Sequence, residues 1–115
     1  MTALWPRRGE VWLVNFNPGR GSDQQGIRPA LVIQNDVGNR HAATIIVAAI
    51  SSAVRIYPVT VPVRKGEGGL KVKSMVNLAQ VLTINKSRFQ RRLGTLVSES
   101  IDRVNAAIRI SLDLG

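Results

Sequence analysis

The sequence predicts a mainly β fold: a small barrel or strongly bent sheet completed by one C-terminal α-helix. Three observations carry this expectation. Apolar residues recur near period two in several short runs before position 85. Glycine, proline and asparagine punctuate those runs as turns do. Beyond position 97 the period changes, with Ile101, Val104, Ile108 and Leu112 following at steps of three, four and four.

The elements follow in order. Gly9 to Asn17 (GEVWLVNFN) sets Val11, Leu13 and Asn15 on one side and Trp12, Val14 and Phe16 on the other, a strand with both faces partly covered. Arg28 to Asn35 (RPALVIQN) is a β-branched second strand whose leading proline suits a strand start. Asn35 to Asn39 is a dense turn signal, so Thr44 to Ile50 (TIIVAAI) is expected to pair antiparallel with the second strand. Tyr57 to Val63 alternates as well, and Pro58 and Pro62 suit an edge strand or irregular pairing. After the basic loop RKGEGGLKVK, Met75 to Leu78 and Gln80 to Ile84 read as extended. Ser98 then caps the terminal helix, Glu99 stands near its positive end, and the apolar stripe packs on the sheet. Five or six short strands with one terminal helix imply an SH3-like barrel or bent sheet. No repeat, low-complexity tract or linker interrupts residues 1–115, which read as one domain.

Composition narrows the chemistry. A chain of 115 residues holds one modest core. It has no cysteine, which excludes disulfides, thiolate catalysis and Cys-ligated zinc. The N-terminus lacks the apolar core of a signal peptide and no run approaches transmembrane length, so the expected location is the cytoplasm, without a membrane. Net charge is +9. Between Ala53 and Arg92 stand Arg55, Arg64, Lys65, Lys71, Lys73, Lys86, Arg88, Arg91 and Arg92, opposed only by Glu67. Such an excess favours a polyanionic partner through counterion release and steering, the alternative being a merely soluble basic surface.

The absences matter as much. His41 is the single histidine, so two-histidine ribonuclease chemistry is excluded, and a solvated position after a turn is its expected role. No DxD or ExxH spacing offers a metal site, and Walker and dinucleotide fingerprints are missing, so neither metal nor cofactor is expected. What remains is hydroxyls, guanidinium groups, amides and scattered carboxylates. RNA cleavage needs little more, because RNA carries its own nucleophile, the 2′-hydroxyl. An enzyme must align it, neutralise charge on the phosphoryl oxygens and manage two protons.

Two stretches could supply this. In GRGSDQQGIRPA, Pro29 biases Arg28 toward an extended backbone, while Gly19, Gly21 and Gly26 let the chain approach a ligand. Arginine suits bidentate phosphate contact and cannot act as a base. Taken alone, the stretch reads equally as a connector. Ser51-Ser52, directly after TIIVAAI, reads first as a turn and second as a source of hydroxyls.

The ordered series RRGEVWLVNFNPGRGSDQQGIRPALVIQND, TIIVAAISS and SMVNLAQVLTINKSR resembles the MazF/PemK (Kid) toxins of bacterial toxin–antitoxin pairs, from about Arg8 to the terminal helix. The resemblance implies a homodimer of SH3-like folds that cleaves single-stranded RNA, commonly mRNA, at short motifs. It implies no metal requirement, and products ending in a 2′,3′-cyclic phosphate and a 5′-hydroxyl. The family's active-site arginine falls on Arg28, and its strand-end threonine on Ser51. The family glutamate of the loop falls on Asp23, one methylene shorter, and the base-contacting glutamine of some members on Gln80. Many members carry a basic residue where this chain has Leu82. With these roles, Arg28, Ser51 and Asp23 form the catalytic set. Gly21, Ser22, Gln24, Ser52, Tyr57, Lys73, Gln80 and Arg88 form the RNA-binding set, with Tyr57 able to stack a base. The basic groove points to an antitoxin with an acidic segment that folds over it.

Two rivals stand beside this reading. A gyrase poison of the CcdB group would share the fold and cut nothing, but the ordered GSDQ and RP elements favour a ribonuclease. A basic RNA-binding module without catalysis would use interleaved aromatics, and only Trp5, Trp12, Phe16, Tyr57 and Phe89 are available.

Overall fold

Period-two runs become strands in the computed structural model, which describes residues 5–17 and 26–115. The strands are β1 (Glu10–Asn15), β2 (Ile27–Val32), β3 (Thr44–Ser51), β4 (Thr60–Val63), β5 (Ser74–Asn85) and β6 (Phe89–Thr95). They form one antiparallel sheet in the order β4-β5-β3-β2-β1-β6. Helix α1 (Asp36–His41) joins β2 to β3, and α2 (Ser98–Ser111) follows β6. Single 3₁₀ turns lie at Glu67–Gly69 and Lys86–Arg88. The sheet is bent and unclosed, since β4 and β6 end the ladder without pairing to each other.

Alternation splits the apolar residues into two cores. Val11, Leu31, Ala48, Ile50, Val76 and Leu78 face one side, where α2 covers them with Val104 and Ala107. Val14, Ala30, Val32, Ile45 and Val47 face the other, under Trp12, Leu82, Ile84 and Phe89. Both faces of β1 are therefore covered, as its sequence predicts. A side chain as large as Leu31, wholly buried, stabilises the fold by about 2 to 3 kcal/mol through burial alone. β4 is an edge strand, consistent with its Pro62, and its Val61 and Val63 face the first core.

The open side of the sheet is closed by a loop instead of a strand pair. The Glu67–Gly69 turn packs directly on β6, where a side chain cannot fit. A Cβ on Gly94 would lie 2.7 Å from the Gly68 carbonyl carbon, and one on Gly69 would overlap the Leu93 carbonyl. Gly68 and Gly69 also hold φ of 64° and 73°, conformations that side chains disfavour. The same turn sets Glu67 at the start of α2, where its carboxylate accepts a hydrogen bond from the Val97 N–H at 3.2 Å. That contact meets an orphan donor of the first turn and complements the helix dipole.

Three expectations change. The Asn35–Asn39 turn signal folds as a short helix, because the Asn35 side chain caps it by accepting from the Gly38 N–H at 2.8 Å. Ser98 is the first helical residue and caps nothing; Val97 holds the cap position and Glu67 acts in its place. Leu112 lies past the end of α2 and is exposed, while Ala107 completes the buried stripe. β6 is an element that the alternation did not reveal.

The glycine contact yields a stability test. Gly69→Ala is expected to cost about 3 kcal/mol or more, read as a lowered urea midpoint. Gly66→Ala, at φ 94° but facing open space, is expected to cost only about 1 kcal/mol. Equal costs would show that backbone strain alone, and not the closure onto β6, sets the penalty.

Candidate active site

Where β2 and β3 reach the end of the sheet, a cleft of about 730 Å³ opens beside the first core. Its floor is apolar, formed by Leu13, Pro29, Ile50, Leu70 and Leu93. Its rim carries Arg28, Ser51 and Ser52 from the β2 and β3 ends, Lys71 from the segment after the glycine turn, and Arg91 from β6. Among the described residues three cations and no carboxylate line it, a lining that attracts anions.

Register explains how Arg28 and Ser51 come together. β2 and β3 pair antiparallel through Ala30 and Ala49. The pairing ends there, two residues short of Arg28 on β2 and of Ser51 on β3, and both of these residues line the cleft. By parity both belong to the face of the second core, whereas Pro29 and Ile50 belong to the first. The cleft reaches all four because it opens at the strand ends, where the sheet stops separating its faces. Arg28 is exposed and is the second residue of β2, which begins one residue before the expected Arg28, with Pro29 third.

Ser51 is oriented by its neighbours. Its Oγ accepts a hydrogen bond from the Ala53 N–H at 3.1 Å. A hydroxyl oxygen engaged as an acceptor keeps its own hydrogen to donate. Ser51 is thus set up to hydrogen-bond an acceptor in the cleft, and it is only half-buried, so a ligand can reach it.

The structure separates the other expected residues. Gly21, Ser22, Asp23 and Gln24 lie outside the described residues, as do Gly19 and the rest of 18–25. Ser52 lines the cleft. Tyr57 is exposed in the loop before β4, which Thr60 ties down by accepting from the Tyr57 N–H at 2.9 Å and donating to the Arg55 carbonyl at 2.7 Å. Lys73 is exposed beside the cleft but does not line it. Gln80 stands exposed in a bulge of β5, between the Ala48–Val81 and Ala49–Asn77 pairs. Arg88 serves the fold: its guanidinium donates to the carbonyls of Asn15, at 3.3 Å, and Asn17, at the end of β1. His41 ends α1 and is exposed. Among the described residues no group of three His, Cys, Asp or Glu side chains could hold a metal ion.

Lys71 and Arg91 are the cleft residues that sequence reasoning did not single out. Both stood in a long basic run with nothing to rank them. The usable signal was GEGGLK, whose glycines mark a close backbone approach just before Lys71.

Comparison with known proteins bears on both fold and family. The "Endoribonuclease MazF" of Staphylococcus saprophyticus is 41% identical over 110 residues, which is 94% of this chain and 92% of that protein. An endoribonuclease from a mycobacterial species, solved in complex with its cognate antitoxin, superposes with a TM-score of 0.82 at 23% identity over 96% of this chain and 97% of its own. A MazF crystal structure from Deinococcus radiodurans gives 0.78 at 24% identity, covering 96% and 99%. At those identities the two structures bear on the fold, which they share. Residues 7–112 match the family of PemK-like, MazF-like toxins of type II toxin–antitoxin systems, and the chain belongs to that family.

Proposed function

We propose that this toxin is an endoribonuclease that cuts single-stranded RNA at short sequence motifs without a metal, using the RNA's own 2′-hydroxyl. The observation that carries this reading is that Arg28 and Ser51 line one cleft, whose described lining residues include cations and no carboxylate. The printed name of the 41% identical relative supports the same activity.

In this reaction the 2′-oxygen attacks phosphorus, and the bond from phosphorus to the 5′-oxygen breaks. The products carry a 2′,3′-cyclic phosphate and a 5′-hydroxyl. Charge accumulates on the non-bridging oxygens as the phosphorane forms. Arg28 neutralises it through its fork of donors, and the Ser51 hydroxyl donates to one of the same oxygens. Among the described lining residues there is neither imidazole nor carboxylate. The 2′ proton therefore leaves to solvent or to Asp23, and the 5′-oxygen is protonated by the same route. Arg28 remains protonated throughout. Gln80 reads a base from the β5 bulge, and Ser22, Gln24 and Tyr57 help to position the strand. The toxin acts in the cytoplasm as a homodimer. Its antitoxin covers the basic cleft with an acidic segment, as the solved complex of a related fold with its cognate antitoxin suggests.

Purified protein is expected to cut unstructured RNA in excess EDTA and to leave an RNA carrying 2′-deoxyribose at the cut site intact. Gel analysis of both substrates checks this, and a strict metal requirement or cutting of the deoxy substrate would overturn the mechanism. Arg28→Ala is expected to lower the cleavage rate by on the order of 10²-fold with an unchanged circular dichroism spectrum. Ser51→Ala is expected to lose roughly 10-fold, the worth of one neutral hydrogen bond, and Ser51→Thr to keep most of the rate. A threonine variant as slow as alanine would mean that shape, and not the hydroxyl, matters there.

A further inference from the structure

We infer that Lys71 and Arg91 form a second phosphate subsite, which holds the diesters flanking the one positioned at Arg28 and Ser51. The inference rests on the proposed action on RNA and adds to it the residues that grip the strand beyond the reacting bond.

The first argument is alignment. In the pairings of β1, Leu13 stands opposite Pro29 on one side and Arg91 on the other. The β2–β3 register, continued by one residue, adds Ile50 beside Pro29. A row therefore crosses four strands, β3-β2-β1-β6, with Ser51 and Arg28 flanking one end and Arg91 forming the other. Arg28 stands two strand spacings from Arg91, roughly 10 Å, and Ser51 three, roughly 14 Å. Those separations exceed the reach of one phosphate and suit successive phosphates along one extended strand. The apolar floor of Leu13, Pro29 and Leu93 lies between the two ends, where sugars and bases can rest.

The second argument is that the fold delivers Lys71 to the same end. The glycine turn presses its backbone on Leu93 and Gly94 of β6. Leu70 enters the first core directly after it. Lys71, the next residue, emerges at the rim beside Arg91, and both line the cleft.

The third argument is that these two cations are uncommitted while others are not. Arg92 pairs with Glu10 at 3.2 Å, and Arg88 is bound to two backbone carbonyls. Arg8 donates to the Ile33 carbonyl and to Asn105, and Arg40 lies over the Trp5 ring. Among the described residues, no hydrogen bond or ion pair engages the side chains of Lys71 or Arg91. Two exposed cations lining one cleft, with no carboxylate among its described lining residues, gain from a bound phosphate.

The test is binding of a fluorescein-labelled 2′-O-methyl RNA 15-mer of mixed sequence, which lacks the 2′ nucleophile, measured by anisotropy across a sodium chloride series. Each phosphate contact to a single strand contributes about 0.7 to the slope of log K against log salt. Lys71→Gln and Arg91→Gln are each expected to reduce the slope by about that amount and the double variant by about twice it. Arg103→Gln, an equal charge loss on the exposed face of α2 away from the cleft, is expected to keep the wild-type slope. Thermal melting of each variant excludes misfolding as the cause. Wild-type slopes in the two cleft variants, or an equal decrease in Arg103→Gln, would overturn the subsite. The two readings fail separately. Reduced slopes in a protein that never cuts RNA would uphold the subsite and remove the nuclease, and cutting with unchanged slopes would do the reverse.

Discussion

Everything on the cleft side of this molecule depends on one steric condition: the backbone of Gly68 and Gly69 must touch the backbone of Leu93 and Gly94. The sheet alone is open, with β4 and β6 as unpaired ends. An open, bent sheet needs its edge covered, and here a glycine turn covers it at a distance no side chain tolerates. From that contact three consequences follow. Leu70 reaches the first core, Glu67 reaches the start of α2, and Lys71 reaches the rim of the cleft. Stability and site are thus set by the same few atoms.

The chain has many cations, and the structure divides them by what they touch. Glu10 is buried and uses both carboxylate oxygens: one accepts from the Arg7 N–H at 2.7 Å and the Trp12 indole at 3.1 Å, the other pairs with Arg92. This fixes the start of β1 against β6, and Arg88 fixes the far end of β1. Asn39, wholly buried, does similar work at α1 by donating to the Gln34 carbonyl at 2.9 Å and to Asp36 at 3.1 Å. Such satisfied polar groups hold geometry and leave no charge for a ligand. Among the described residues, Arg28, Lys71 and Arg91 are the cations that the fold brings to the cleft. Net charge predicted a polyanion partner, but only contacts tell a structural arginine from one that faces the ligand.

Legibility in the sequence followed the same division. β1, β2 and β3 were readable because their two-residue period reports burial on each face, and the β2–β3 pairing was readable from the short connection. Pro29 marked the first residues of β2, which starts at Ile27, two residues before it. By contrast FQRRLGT hides a strand, because only Phe89 and Leu93 face apolar neighbours and the rest of β6 is at the surface. The Asn35 cap turned a turn signal into a helix, a choice between two local solutions that use the same residues. Lys71 and Lys73 are indistinguishable by composition; the closure of the glycine turn brings one to the cleft and leaves the other beside it. Arg88 looked like a nucleic-acid contact and is instead held by carbonyls that lie 71 and 73 residues away in sequence.

The position of the Arg28 and Ser51 pair at the strand ends has a further consequence for how a strand of RNA would be read. The first-core face leads from the pair to Lys71 and Arg91, which offer charge without shape. Leu82 packs into the second core opposite Val47, while Gln80 is exposed in the bulge. A basic residue in place of Leu82 would have to leave the core or carry its charge along it, so leucine there favours packing over an added phosphate contact. Gln80 offers an amide, able to donate and accept, at the bulge. Charge contacts position a strand and amides discriminate bases. On the proposed reading, Lys71 and Arg91 grip the strand by charge and the Gln80 amide discriminates its bases.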